Sequence, residues 1–175
     1  LPMKRNEQTI INGTITVGYL TSAVFGLLFA YWGHNFVYHG LFLTGQSLVF
    51  FAGILLAAAL WPWKKEYRLE KDSPYAHTRS GLDLERLAFF VMAAATLVSA
   101  TFGAVTGSYW GNGHETFLAE DLIRVPHKSG LQKAIIGHLH IMLTLIAVAI
   151  TLIVGRWMKF KGILHRIAMP LMISG

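Results

Sequence analysis

Long apolar segments are the feature that most constrains how this chain can fold. The clearest of them runs without interruption from Ala134 to Val154, which is long enough for an α-helix to cross the hydrocarbon core of a bilayer. Hydropathy predicts four complete membrane spans, at residues 15–36, 41–60, 87–106 and 132–154, and an incomplete fifth at 162–175. The expected fold is all-α, a polytopic transmembrane helical bundle that forms a single domain over residues 1–175.

The composition supports a membrane protein and narrows its chemistry. Hydrophobic residues make up 54% of the chain and charged residues 14%, with a mean hydropathy of +0.48, whereas soluble domains are about 25% charged. The chain contains no cysteine. This excludes disulfides, Cys-ligated iron–sulfur clusters and covalent c-type haem attachment within the chain. A redox cofactor bound by this chain would therefore need ligands from histidine, methionine, tyrosine or carboxylate side chains.

The positive charge of the chain lies mainly in short segments between the predicted spans. The formal net charge is +6, Lys4 and Arg5 precede the first span, and the loop after the second span is the most densely basic. Basic residues in such loops set membrane topology, so this excess does not indicate nucleic-acid binding. The basic residues before the first span and after the second predict a cytoplasmic N-terminus. The expected location is a prokaryotic inner membrane, in which the chain is an integral protein.

The two ends of the sequence predict that it is part of a longer polypeptide. It starts at Leu1 rather than methionine, and its last apolar segment is still open at Gly175. A helix of fourteen residues reaches only about 21 Å, less than the roughly 30 Å of a hydrocarbon core.

A short amphipathic helix is predicted over residues 114–125, in the connection before the fourth span. Phe117, Leu118 and Leu122 recur near helical spacing, opposite the acidic Glu120. Such a segment is expected to lie on the outer membrane surface.

The third span carries small residues at four-residue spacing, namely Ser99, Gly103 and Gly107. Small side chains at this spacing allow helix backbones to approach closely. The same smooth surface also suits a flat macrocycle, so the stripe indicates either helix packing or a cofactor wall.

Two histidines, His138 and His140, lie two residues apart within the apolar run of the fourth span. Ionisable side chains are rare inside membrane spans and are associated with function. Residues two apart on an α-helix are separated by about 200° around its axis, so the two imidazoles are expected to leave the helix on nearly opposite sides. One helix can then supply a ligand to each of two cofactors.

The motif His138-Leu139-His140 resembles the HxH helix in subunit I of haem-copper oxidases and nitric oxide reductases. In that family the two histidines ligate a low-spin and a high-spin haem on opposite sides of the helix. The resemblance covers only this short stretch, and the family's other metal-ligand motifs do not occur in the chain. It implies that His138 and His140 are haem ligands, in a chain otherwise similar to a b-type membrane cytochrome subunit.

The predicted topology gathers six of the eight histidines at the extracytoplasmic side. These candidate metal ligands are His34, His39, His114, His127, His138 and His140. Imidazole suits haem iron, zinc and copper. For haem b, His138 or His140 is expected to pair with His34 or His39 on a neighbouring span, and Arg124 or Lys128 to meet the propionates. Interhelical hydrogen bonding and a protonatable site remain alternatives for the HxH pair.

Three functions follow from these residues. The first is a respiratory electron-transfer subunit with one or two b-type haems, which moves electrons between a membrane quinol pool and an extracytoplasmic acceptor such as a cytochrome c-type subunit of the same complex. The second is part of a haem-copper oxidase or nitric oxide reductase-like enzyme, with copper or non-haem iron. The third is a histidine-based metal transporter, against which the lack of carboxylates in the predicted spans argues. No catalytic residue is identified, and an oxidoreductase activity is left open.

Overall fold

Helices account for all the regular elements that the structure describes. The computed structural model describes residues 1, 3–33, 35–70, 80–110 and 130–174. Its elements are α1 (Arg5–Trp32), α2 (Phe36–Ala59), a 3₁₀ turn (Lys65–Tyr67), α3 (Leu84–Trp110), α4 (Gly130–Trp157) and α5 (Ile163–Ser174). The predicted all-α fold is confirmed over these residues. The predicted amphipathic helix at 114–125 lies outside them.

Four of these helices are long and apolar enough to cross a membrane. The candidate spans are Arg5–Phe29, Phe36–Ala59, Leu84–Val105 and Gly137–Trp157. Between 6% and 17% of the most apolar window of each span is buried. Helices that expose so much apolar surface are suited to lipid rather than to water. The prediction of an integral membrane protein is supported by this pattern, and α5 is a shorter apolar helix.

The first two helices start earlier than the hydropathy predicts. α1 begins at Arg5 rather than near residue 15, and the backbone N–H of Lys4 donates to Glu7 Oε2 at 3.1 Å at its start. α2 begins at Phe36 because Asn35 Oδ1 caps it, accepting from the Val37 N–H at 2.8 Å. Gly40, which the predicted bounds at 36 and 41 place between two spans, therefore lies inside α2.

The chain forms two compact units, residues 1–93 and 94–175, with their boundary inside α3. In the first unit α1 and α2 form an antiparallel hairpin. Gly26 packs against Phe42, and Gly18, two turns earlier in α1, approaches Leu48 later in α2. The start of α1 and the end of α2 consequently lie at the same end of the hairpin. The single domain predicted for the whole chain stays a prediction.

Small residues set the distance between α1 and α2. Gly45 is buried, and a Cβ added there would meet the backbone nitrogen of Ser22 and lie 2.8 Å from the carbonyl oxygen of Gly18. Gln46 Nε2 donates to Ser22 Oγ at 2.7 Å beside this contact. Close backbone approach with an added polar contact is the usual way in which membrane helices associate.

Arg86, at the start of α3, joins the connection after α2 to the rest of the first unit. Its side chain is fully buried. Nη1 donates to the carbonyl oxygen of Ala59 at 3.0 Å, in the last turn of α2, where carbonyls lack partners within the helix. The guanidinium also lies 3.5 Å from the centre of the Tyr67 ring, which is a cation–π contact.

An aromatic cluster lies beside Arg86. Trp61 and Trp63 have ring centroids 5.0 Å apart, and both meet the ring of Phe90 edge-on at 5.3 and 5.6 Å. Aromatic pairs at these separations and angles are favourable. The two tryptophans remain half exposed, which suits residues at a membrane interface.

In the second unit, α5 reverses the pattern of a soluble amphipathic helix. His165 and Met169, four residues apart, are buried, whereas Ile163, Leu164 and Leu171 are more than half exposed. A helix that presents its large apolar side chains outward is suited to contact with lipid.

Candidate functional site

His138 makes the most informative contact of the predicted site residues. Its Nδ1 lies 3.2 Å from Oγ of Ser99 in α3, within hydrogen-bond distance. Ser99 is 5% exposed and His138 is half-buried. Both residues lie inside candidate membrane spans. The contact therefore joins α3 and α4 where few competing hydrogen-bond partners are present.

Gly103, one turn beyond Ser99, leaves the space that the His138 ring occupies. A Cβ at position 103 would lie 2.8 Å from Cε1 and 2.9 Å from Nε2 of His138, well inside the optimal separation of nonbonded atoms. Any larger residue would have to displace the imidazole. The group packed on Ser99 and Gly103 is thus the His138 side chain, and the close backbone approach and the cofactor wall that the small-residue stripe indicates both stay predictions.

Phe102 gives the site an aromatic neighbour. Its ring centroid lies 6.5 Å from that of His138, with an angle of 37° between the rings. The phenyl ring is itself half exposed. His138 therefore has a hydroxyl partner, a glycine surface and an aromatic ring, all supplied by α3.

His140 has different surroundings from His138 although only one residue separates them. It is exposed, and its carbonyl oxygen accepts a hydrogen bond from Thr144 Oγ1 at 2.9 Å. His138 contacts α3. The contrast agrees with the opposite-side placement predicted from the two-residue spacing.

Of the remaining predicted site residues, the structure describes only His39. His39 lies in the first turn of α2, in the first unit, and its ring stacks on Phe29 with centroids 4.9 Å apart and 29° between the planes. The other predicted residues lie outside the described residues: His34, His114, Arg124, His127 and Lys128. Over the ranges that are described, no group of three or more His, Asp or Glu side chains is placed to hold a metal ion.

The chemistry available at His138 depends on which ring nitrogen carries the proton. With the proton on Nδ1, Ser99 Oγ accepts the hydrogen bond and Nε2 carries a lone pair, which is the form that binds a metal. With the proton on Nε2, the Ser99 hydroxyl donates to Nδ1 and the pair is an interhelical hydrogen bond alone. The same geometry thus serves either a ligand or a packing contact.

Two polar residues are more buried than the sequence indicates. Arg86 directly precedes the span predicted at 87–106, where a basic residue ordinarily marks topology, yet its side chain is fully buried. His165 directly precedes Arg166 in the sequence, yet it is buried on the same face as Met169. The four-residue spacing of His165 and Met169 is the only signal in the sequence for that shared face.

Comparison of the chain with protein-family models, with curated proteins and with solved structures finds no match. The surroundings of His138 are therefore the basis for a functional proposal.

Proposed function

We propose that this chain is a membrane-embedded, b-type haem electron-transfer subunit in which His138 is an axial ligand. It moves electrons between a membrane quinol pool and an extracytoplasmic acceptor, as part of a multi-subunit complex. The contact between Ser99 Oγ and His138 Nδ1 at 3.2 Å carries this proposal. Histidines that bind metals commonly donate their other ring N–H to an oxygen, which fixes the tautomer and the ring orientation.

The residues around His138 fit a haem ligand. Gly103 keeps a Cβ away from the Nε2 edge of the ring, and Phe102 adds an apolar surface. In the proposed site Ser99 Oγ would accept the Nδ1 proton and hold the imidazole in the tautomer that ligates iron through Nε2. Haem, when bound, supplies a reversible one-electron couple whose potential depends on its axial ligands and on burial.

The second axial ligand is proposed among the other histidines of the same side. His34 and His39 are the first candidates, and His114 and His127 the next. Arg124 is proposed to pair with the propionates. The histidines supply the imidazole that an axial ligand requires, and Arg124 supplies the positive charge that pairs with a carboxylate.

The proposed orientation places the N-terminus in the cytoplasm of a prokaryotic cell. Lys4 and Arg5 precede the body of α1, and Lys64 and Lys65 follow α2. The antiparallel hairpin brings both basic segments to one end, in agreement with the positive-inside rule. By chain order α4 then begins on the extracytoplasmic side, with His138 about 12 Å from its first residue.

A second candidate function is part of a haem-copper oxidase or nitric oxide reductase-like enzyme. The exposure of His140 favours it, because an imidazole on the other side of α4 is accessible to a high-spin haem with copper or non-haem iron nearby. A histidine-based metal transporter is a third, and it differs from both in having no visible absorption.

The test is a visible absorption spectrum of the detergent-purified chain, air-oxidised and dithionite-reduced, with bound haem measured as the pyridine haemochrome. The variants are His138→Ala and His140→Ala. Leu139→Ala is the matched control, because it truncates the exposed residue between them and leaves both imidazoles in place. We expect a sharp reduced α-band of b-type haem in the parent chain and in Leu139→Ala, and its loss in His138→Ala.

The other outcomes separate the alternatives. A carbon monoxide-sensitive, high-spin component that disappears in His140→Ala would favour the oxidase-like enzyme. A parent chain without haem, or a His138→Ala variant with an undiminished α-band, would contradict His138 as the ligand. Metal uptake into vesicles by a colourless protein would favour the transporter.

A further inference from the structure

The connection between α4 and α5 is a strongly basic segment of the second unit. Residues 156–162, here called the basic turn, contain Arg156, Lys159 and Lys161, and Arg166 follows one turn into α5. All four side chains are exposed. The sequence has no Asp or Glu after Asp121, so the net charge of the segment is positive. An exposed positive charge of this density attracts anions.

The backbone of the basic turn ends α4 with a Schellman motif. The N–H of Phe160 donates to the Gly155 carbonyl at 2.9 Å, and that of Lys159 donates to the Arg156 carbonyl at 3.0 Å. Lys159 takes the left-handed conformation of this motif, with φ of 52°. Glycine is the usual residue there, because a Cβ is disfavoured in that region.

Lys159 is thus a long cationic side chain at a position whose backbone favours glycine. Gly162, three residues later, also has a positive φ, of 84°. Unlike Lys159, it is the glycine that is usual in this conformation. A residue other than glycine in this backbone conformation costs free energy, which suggests that its side chain has a function. The exposed ammonium group is the feature that a glycine at position 159 would lack.

The surroundings of the basic turn are typical of a segment at a membrane surface. The candidate span of α4 ends at Trp157, and Trp157 and Met158 are 84% and 70% exposed. α5 begins with the exposed apolar residues Ile163 and Leu164. A tryptophan beside lysine and arginine, between two apolar helices, is the arrangement found at the level of lipid headgroups.

We infer that the basic turn binds the headgroups of anionic phospholipids. Arg156, Lys159 and Lys161 meet the lipid phosphates, while Trp157 and Met158 enter the region of the glycerol backbone and the upper acyl chains. Charge complementarity selects anionic lipids over zwitterionic ones. The site is independent of haem binding, since it uses no residue near His138.

The test uses the full chain reconstituted into phosphatidylcholine vesicles that contain phosphatidylglycerol. Quenching of Trp157 emission by brominated phosphatidylglycerol is compared with quenching by brominated phosphatidylcholine. Subtracting the signal of a Trp157→Phe variant isolates this tryptophan. The ratio of the two apparent association constants measures the selectivity of the basic turn. We expect a ratio well above one that falls as salt is raised.

Lys159→Gly is the decisive variant, because glycine suits the φ at this position. It should leave the folded chain at least as stable as the parent, yet lower the lipid selectivity by about five-fold. Lys159→Arg should keep the selectivity, and Lys161→Gln should reduce it. The matched control is Lys64→Gln with Lys65→Gln, which removes the same type of charge from the first unit and should leave the ratio at Trp157 unchanged.

Three outcomes would overturn the inference. One is a ratio near one for the parent chain. Another is an unchanged ratio in Lys159→Gly at full stability. The third is an equal loss of selectivity in the Lys64 and Lys65 control, because the effect would then reflect the overall charge of the protein.

Discussion

Ser99 Oγ and His138 Nδ1 lie 3.2 Å apart and join α3 to α4 by a hydrogen bond between side chains. Two threonine hydroxyls in these helices bond within their own helix: Thr101 donates to the Leu97 carbonyl at 2.8 Å and Thr151 to the Ala147 carbonyl at 2.8 Å. Ser99 instead reaches a side chain on the neighbouring helix. It is therefore positioned to control the tautomer of His138.

Replacing Ser99 with alanine removes the hydroxyl that accepts the Nδ1 proton in the ligand form of His138. If His138 ligates haem, the imidazole becomes a weaker electron donor to the ferric iron, so the midpoint potential should rise, by on the order of 40 mV. A redox titration at constant haem content measures the shift. Thr101→Ala is the control, since that hydroxyl bonds its own helix, and an equal shift there would contradict the assignment.

Replacing Gly103 with alanine should displace the His138 ring. The added Cβ would lie 2.8 Å from Cε1, and the side chain can rotate away only by losing its bond to Ser99, so we expect a loss of about 1–2 kcal/mol in unfolding free energy. Gly155→Ala is the matched control in α4, because no atom lies within 4 Å of a Cβ there. Unfolding in detergent compares the two, and equal stabilities would argue against the contact.

Replacing Gly45 with alanine should be more damaging than the change at Gly103. The added Cβ meets the backbone of Ser22 and of Gly18, which cannot rotate away, so α1 and α2 must separate. We expect a loss of about 3 kcal/mol. Gly40→Ala in the same helix meets nothing within 4 Å and should be neutral or slightly stabilising. A thermal unfolding midpoint in Gly45→Ala that matches Gly40→Ala would show that the helices do not pack there.

Arg86 should not tolerate replacement by lysine. A lysine keeps the charge but cannot at once donate to the Ala59 carbonyl and stack on Tyr67 as a planar guanidinium does. We expect Arg86→Lys to lower the unfolding free energy by about 1–2 kcal/mol and Arg86→Ala by about 3 kcal/mol. Arg68→Lys, at an exposed position beside Tyr67, is the control and should change stability little.

Tyr67 should ionise only at high pH. Burial raises the pKa of its phenol above the ordinary value of 10.0, the hydrogen bond and the charge of Glu66 raise it further, and the charge of Arg86 opposes them. Because the folded-state pKa is raised, its contribution to stability is complete below about pH 10. The contribution is lost as the pH rises through the folded-state pKa.

An absorbance titration at 295 nm, taken as the difference between the parent chain and Tyr67→Phe, measures this pKa. Glu66→Gln should lower the pKa in part, since desolvation is the larger cause. A phenol that titrates at or below pH 10 would show that Tyr67 is not shielded from water as described.

The hydropathy pattern predicted the helices well but not where they begin. The span expected from residue 15 is part of a helix that starts at Arg5, and Gly40, expected between two spans, lies in α2. Hydropathy reports the part of a helix that is buried in hydrocarbon. Helix ends are instead decided by local hydrogen bonds, such as the Asn35 cap on Val37, which a hydropathy window does not detect.

The candidate site was predictable in its residue types and only partly in its contacts. The two-residue spacing predicted different surroundings for His138 and His140, because helical geometry separates them around the axis. The small residues Ser99 and Gly103 predicted a close approach. That the His138 ring fills the space at Gly103 follows from the relative register of α3 and α4, which no local pattern contains.

The sequence by itself determined an all-helical chain suited to a membrane, since an apolar segment in lipid must satisfy every backbone N–H and carbonyl internally. It also determined the absence of cysteine chemistry and the places where histidines occur. Only the tertiary structure decided that Ser99 pairs with His138, that Gly45 carries the backbone contact of the α1–α2 hairpin, and that Arg86 is buried on Tyr67 and Ala59. These contacts join residues distant in the sequence, and packing distances between helices, rather than periodicity within one helix, select them.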